Sequence, residues 1–556
     1  MRLFGSSAFL NAQLRVALIS ALLGVSTLCH AEVKHEIIAL TPSWSQPDFY
    51  GYQFQSLSVP SISDDGTVVF RPSVYSNTDP GPNRIFTATA PGVYNQIVKQ
   101  GDIAPGTTDA TFMSFLMAQI SGDGQPAFYG YLQGTGVNTA NDTGLWAWDE
   151  STGLRAVGIE GQTAPGTQYA FLLFDDLDTA SRAPGFVQSQ SGRVAFWQQV
   201  IDPNDPTIIH RGIWAENENH ELQLVAITGQ PVPGMADGAR FTHFSSGLPQ
   251  ITDDGLLVFQ AFAAESEDSL LGTESIWRQR TDGGFDKIVS AGDPAPGVMG
   301  GIFWAFENFN INGNGRTAFQ AGAEIPGVGY QNGIWIAAEN GDISSVALKS
   351  QSAPGIPSGA FASFLSVDRP FVIDNAGNIA FTASLMGPGI DESNDTGLWR
   401  MHPDGLVELV AWENAPAPGG GNFGTFNDDS PRVSNSTITM NGLGQVAFTT
   451  DDRAIWAEDS SGQLQLIART GQEIDFDPGP GVDIRTISSV YMLNTSNGQD
   501  GLARPFNDNG DLVFLVGLQQ WGYAVIRVNM NIVPEPGLVS LLATVLLSSV
   551  ASRKMR

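Results

Sequence analysis

Cysteine is nearly absent from this chain: Cys29 is the only one in 556 residues. It lies in the first 31 residues, where Arg2 and Arg15 precede the apolar run "VALISALLGVSTL" and "CHA" supplies small residues at Cys29 and Ala31. That order is the charged, apolar, small-residue pattern of a secretory signal peptide, so cleavage is expected after Ala31. The mature chain then has no cysteine, which excludes disulfides, thiolate nucleophiles and cysteine-based metal sites. Stability must come from a packed core, which a chain of this length can bury.

Basic residues are scarce as well, 27 Lys+Arg against 57 Asp+Glu. A surface this acidic repels phosphate backbones and anionic lipid, so no nucleic-acid partner is expected. Recognisable catalytic motifs are also missing. There is no G-x-S-x-G elbow, Walker loop or H-E-x-x-H. "GGGNFG" at 419–424 fits G-x-G-x-x-G only formally, because it follows an "APAPG" turn and leads into an aromatic strand instead of a helix. The five histidines of the mature chain, His35, His210, His220, His243 and His402, have no metal-ligand spacing. Aspartates in the "DDG" turns suggest Ca²⁺ at first sight, but no stretch has the alternating ligand order of a calcium loop; turn chemistry is the better reading, and no cofactor is expected.

What is plentiful is Gly (63) and Pro (32) alongside 42% hydrophobic residues, the composition of a turn-rich β protein. A repeat organises it. "ISDDGTVVF" (62–70), "ISGDGQPAF" (120–128), "ITDDGLLVF" (251–259), "INGNGRTAF" (311–319) and "FNDNGDLVF" (506–514) share a turn followed by a strand. Eight such copies end on Phe70, Phe128, Phe196, Phe259, Phe319, Phe381, Phe448 and Phe514, spaced 58 to 68 residues apart. Ahead of most turns lies an aromatic pair such as Phe112/Phe115 or Phe361/Phe364. After it comes a "GIW"-like strand centred on Phe86, Trp146, Trp214, Trp277, Trp335, Trp399 or Trp456, then an apolar strand such as "LQLVAIT" and a turn such as "GQTAPG". In the turn, Asp and Asn tolerate left-handed geometry and Gly supplies positive φ.

Four short strands per unit, repeated seven or eight times, predict an all-β fold, a β-propeller of eight four-stranded blades with seven as the alternative. A β-helix is the rival, but its coils are shorter. The eighth unit lacks a fourth strand, and "HEIIALT" (35–41) matches "LQLVAIT" (222–228); residues 35–41 are therefore expected to close the last blade against 523–528. The repeat resembles a bacterial surface family with tandem N-x-x-G-x-x-F repeats, whose function is unassigned. Sialidase-type Asp boxes, WD and kelch signatures are absent.

The C-terminus reads "VPEPGLVSLLATVLLSSVASRKMR". Pro534, Glu535 and Pro536 precede an apolar run from Gly537 to Ser552, then Arg553, Lys554 and Arg556. As a helix the run is ~24 Å long, slightly short for a hydrocarbon core, and the basic cluster would stay on the cytoplasmic side. An ordinary tail anchor would share the run and the charges. With its motif, the tail resembles a PEP-CTERM sorting signal. The resemblance implies an exosortase as partner, membrane attachment through the C-terminal helix before processing, and then the surface or the exopolysaccharide matrix as address. The expected organisation is a signal peptide at 1–31, a propeller at 32–532 and a sorting tail at 533–556.

"NDTGLW" occurs twice, at 141–146 and 394–399, where a variable loop enters the tryptophan strand. Leu145, Trp146, Leu398 and Trp399 read as core, and Gly144 and Gly397 as release from the turn. Asn141, Asp142, Asn394 and Asp395 remain as candidate ligand contacts, together with Trp197 and Tyr131 of the segments between the "AF" and "GIW" strands. Aromatics beside acids and amides there (Tyr75, Tyr129 and Tyr330 among them) suit sugar recognition. The expected function is an exported, non-enzymatic surface or matrix protein whose propeller is a binding or structural platform, with extracellular polysaccharide as a candidate partner; the alternative is a propeller hydrolase or lyase acting on such a polymer.

Overall fold

The computed structural model describes most of residues 33–531. Outside it fall 1–32, 42–53, 75–81, 175–184, 265–271, 365–370, 427–436, 494–503 and 532–556, with pairs at 233–234, 236–237, 246–247, 281–282, 478–479 and 520–521. The leader, Tyr75, the Pro534–Pro536 motif and the basic cluster at Arg553, Lys554 and Arg556 therefore lie outside the described residues. Among the described residues no helix is long and apolar enough to cross a membrane.

Residues His35–Met530 form one compact unit, and it is a β-propeller of eight blades. The second blade gives the pattern: Thr111–Ile120, Pro126–Gln133, Thr143–Asp149 and Gly153–Ile159 pair antiparallel in sequence order. The first strands of neighbouring blades meet through bonds such as Ile120 N–H to the Ser61 hydroxyl, 3.1 Å. In the third blade that strand comes in two pieces, Ala170–Phe171 and Phe186–Gln188, both paired with Val194–Asp202.

Closure follows the expected route. Glu36–Leu40 pairs antiparallel with Gly522–Asn529, with Glu36 opposite Arg527 and Leu40 opposite Ala524. Ile38, Ala39 and Leu40 are buried there, so the strand brings apolar side chains as well as ladder bonds.

The repeated aromatics pack as one unit in each of the first seven blades. In the second, Phe112 meets Trp146 edge-on at 4.9 Å, while Phe128 stacks on Trp146 at 6.3 Å. The sixth blade repeats this with Phe361, Phe381 and Trp399 at 5.0 and 6.2 Å. Edge-on and offset contacts suit the ring quadrupoles, and each ring buries a large apolar area. The "APG" turns also acquire a role: the carbonyls of Pro105, Pro165, Pro296 and Pro354 accept the indole N–H of Trp146, Trp214, Trp335 and Trp399 at 2.9–3.1 Å.

The turn chemistry differs in one respect from expectation. Gly66, Gly124, Gly192, Gly255, Gly315, Gly377, Gly444 and Gly510 all have positive φ, but no Asp or Asn of these turns does. The Asn acts through its side chain. Asn312 Oδ1 accepts from Asn314 N–H and Arg316 N–H, bracing its own turn. Its Nδ2 reaches the Asp374 carbonyl of the next blade at 3.0 Å.

Gly144 and Gly397 also depart from the expected role. They are strand residues with no positive φ, and what they supply is space. A β-carbon on Gly144 would stand 2.6 Å from the Trp146 ring, and one on Gly397 2.7 Å from the Trp399 ring.

Candidate functional site

The loops between second and third strands share one face of the ring with the "APG" connections, and Asn141, Asp142, Asn394 and Asp395 lie on two of them, in the second and sixth blades. Both copies of the hexapeptide make the same bonds. Asn141 Nδ2 donates to the Gly136 carbonyl at 3.1 Å and its Oδ1 accepts from Asn138 N–H at 2.7 Å. Asn394 does the same with Gly389 and Asp391, at 3.1 and 2.8 Å. Each asparagine therefore knots its own loop, with its amide already engaged. The carbonyls of Asp142 and Asp395 accept from Leu132 N–H and Leu385 N–H, holding the loop base.

The residue that links most partners is the threonine that follows. Thr143 Oγ1 donates to Glu160 at 2.8 Å and accepts the backbone N–H of Phe174, in the third blade, at 2.9 Å. Thr396 Oγ1 donates to Glu413 at 2.7 Å and accepts Phe426 N–H, in the seventh blade, at 3.0 Å. Between fourth and fifth blades Glu274 itself performs this task, accepting Phe306 N–H at 3.1 Å. Burial raises the carboxyl pKa of Glu160, Glu413 and Glu274; the threonine hydroxyls offset this at Glu160 and Glu413, while neighbouring Asp142 and Asp395 add to it. These carboxyls can hold a proton, and their positions fasten blade to blade.

Trp197 and Tyr131 sit on strands instead of in loops, because Val194–Asp202 and Pro126–Gln133 run further than the sequence pattern indicated. The Arg211 guanidinium lies over the Trp197 ring, 5.5 Å from its centroid. Arg211 Nη1 and His243 Nε2 are 3.3 Å apart, and burial followed by the Arg211 charge lowers the His243 pKa. His210 stacks on Tyr169 at 4.5 Å across the same hairpin. This is a concentration of basic groups in an otherwise acidic protein, with one aromatic face already covered by arginine.

The opposite face carries the turns and a polar hub near the ring axis. Arg504 Nη2 lies 3.0 Å from Asp64 Oδ2, and Gln190 of the third blade bonds both of them. Burial raises the pKa of Asp123 and Asp508 there, and Arg504 opposes it in both. Among the described residues no group of three or more His, Cys, Asp or Glu is placed to hold a metal ion.

Sequence reasoning located Asn141 and Asn394 but missed the roles of Thr143, Glu160, Thr396 and Glu413. Repetition of the hexapeptide was the available signal. It also missed Trp304, which belongs to no repeated position. Trp304 and Tyr330 expose their rings on the fifth blade.

No curated protein matches the chain in sequence. Among solved structures it is similar to the periplasmic gluconolactonase of Pseudomonas aeruginosa, with 12% identity over 74% of this chain and 96% of that one and a TM-score of 0.30. It is also similar to the alpha-L-arabinanase of Penicillium chrysogenum, with 10% identity, 66% and 98% coverage and a TM-score of 0.29. An endo-arabinanase of Bacillus licheniformis gives 13% identity, 54% and 98% coverage and a TM-score of 0.19. Likenesses this slight transfer no activity. Sequence profiles are more decisive: matches at residues 28–233, 185–343 and 327–540 together span the propeller, and the chain belongs to DUF7453, a family of unknown function.

Proposed function

We propose that this protein is exported and sorted by an exosortase acting on the tail at Pro534, Glu535 and Pro536. From there it reaches the cell surface or the exopolysaccharide matrix. There the propeller is a rigid, non-enzymatic platform that binds polysaccharide. The observation that carries this reading is the engagement of Glu160, Glu274 and Glu413, the carboxyls with raised pKa described on the loop face. Each is tied into hydrogen bonds that join neighbouring blades. Groups that fasten the ring are poorly placed to act as acid or base, whereas the exposed rings of Trp304 and Tyr330 suit binding.

A second reading, a carbohydrate hydrolase or lyase, draws on Glu307. Its carboxyl pKa is raised by burial, and its contact is the Gln320 amide at 2.6 Å.

The test incubates the purified protein with exopolysaccharide of the producing bacterium and follows both retention and chain length. Retention without shortening is expected; shortening that Glu307→Gln abolishes would replace this reading with the second. For the tail, alanines at Pro534, Glu535 and Pro536 should leave the protein in the membrane fraction. Equal release of this variant and the parent would remove the sorting step.

A further inference from the structure

Trp304 and Tyr330 break the rule by which this chain uses its aromatic residues. The repeated tryptophans are buried, yet Trp304 is 53% exposed and Tyr330 67% exposed, although both lie on strands, Ile302–Ile311 and Gly329–Ala337. Their ring centroids are 5.5 Å apart at an interplanar angle of 54°. The indole rests against Gly322 of the intervening strand. A β-carbon there would collide with Nε1 and stand 2.9 Å from Cδ1. Gly322 has ordinary backbone geometry, so its lack of a side chain makes a seat for the indole.

Around this seat lie two buried acceptors without a donor among the described residues. Asn332 pairs directly with Gly322, so its side chain leaves from the same side of the sheet. Its Oδ1 is buried and unpartnered among the described residues. Gln320, two residues before Gly322 and 1% exposed, gives its Nε2 to Glu307 and keeps an unpartnered Oε1 among the described residues. Glu324 stands opposite Tyr330 on the ladder. Buried acceptors without donors are costly and are satisfied by a ligand or by water carried with it.

We propose that Trp304 and Tyr330, with Gln320, Asn332 and Glu307 behind them, form a binding subsite for an uncharged sugar unit of a polysaccharide. A pyranose has a flat C–H face for the ring platform and hydroxyl donors for the acceptors. Glu307, Glu324 and the formal net charge of −30 exclude uronate or sulfate polymers by repulsion. This assignment rests on reading the propeller as a polysaccharide platform.

The experiment is affinity electrophoresis of the full-length protein in gels containing hydroxyethyl cellulose, galactomannan or alginate. At least one of the two neutral polymers should slow the protein and alginate should not. Trp304→Ala and Tyr330→Ala should each weaken retention about tenfold, equivalent to ~1.4 kcal/mol, while Trp304→Tyr recovers part of it. Gly322→Ala should weaken it similarly by unseating the indole. Trp304→Ala, Tyr330→Ala and Trp304→Tyr should melt with the parent protein, since the rings changed are half exposed. Equal retention of the parent and Trp304→Ala would overturn the subsite and leave the platform reading standing; so would retention by alginate alone. No retention by any polymer, nor by the producing bacterium's exopolysaccharide, would overturn both.

Discussion

Asn507 Nδ2 donates to the carbonyl oxygen of Ser63 at 2.8 Å, joining the eighth blade to the first across 444 residues of sequence. The Oδ1 of the same side chain accepts from Asn509 N–H at 3.1 Å and Asp511 N–H at 2.8 Å. One amide thus shapes a turn and closes a ring. Asn441 repeats it toward the carbonyl of Asn507, at 3.1 Å.

Replacing Asn507 by Asp keeps the acceptor but sets a second oxygen against the Ser63 carbonyl in a fully buried place. The expected loss is about 1–3 kcal/mol in chemical denaturation. An Asn507→Asp protein that unfolds at the parent's denaturant concentration would remove the clasp from this account.

Deleting residues 33–41 should leave the Gly522–Asn529 edge unpaired and the protein prone to self-association through it. A synthetic peptide of the sequence 33–41, added during refolding, should restore the monomer on gel filtration. A truncated protein that stays monomeric and melts as the parent does would contradict strand closure.

Alanine at Gly144 or Gly397 adds one methyl group against the ring of Trp146 or Trp399. Overpacking of this kind costs about 1–3 kcal/mol, and the near-ultraviolet circular dichroism of the displaced indole should change with it. The same substitution at Gly136, where a β-carbon meets nothing but φ is +85°, tests backbone strain alone.

Stability should rise on mild acidification. Glu160, Glu274 and Glu413 all have carboxyl pKa values raised above the 4.5 of a free glutamate. A raised value means that the folded state keeps protons the unfolded state has lost. Their ionisation therefore weakens folding as pH climbs from the ordinary value through the raised one, and the loss is recovered as pH falls back. Asp149 and Asp459 shift downward, through hydrogen bonds from Ser151, Thr152, Ser461 and their neighbours that outweigh burial, and hold their contribution until pH drops through their lowered values. The melting temperature should thus be higher near about pH 5 than near about pH 8, reduced by the cost of protonating His243, whose lowered pKa weakens folding as pH falls. A Glu160→Gln, Glu413→Gln double variant should show a smaller rise. An unchanged pH profile in that variant would shift the cause to general charge repulsion.

The blades and their closure were legible because packing demands the same side chain at the same place each time, as at Phe128, Trp146 and Gly124. The clasps were less so. Inside the blades too, backbone N–H of Gln100, Glu160, Thr228, Ala291, Lys349, Glu413 and Thr470 makes one equivalent bond in seven of them, from five different residue types. For the threonines the twin hexapeptide was the repeated signal, but the partner Phe174 is 31 residues from Thr143. Trp304 was illegible for the opposite reason. It occurs once, and its seat is a glycine that in a strand reads only as weakness.

Ring closure also sets an order of events. Thr41, among the first residues made, finds its partner Tyr523 only 482 residues later. Until Gly522–Asn529 exists, the growing protein is an open crescent with two bare edges, and such long-range pairing is slow to form. The strand that completes the ring stands immediately before the stretch that leads to Pro534. A chain cut short upstream of that strand would leave Glu36–Leu40 without its partner, and the ring would stay open.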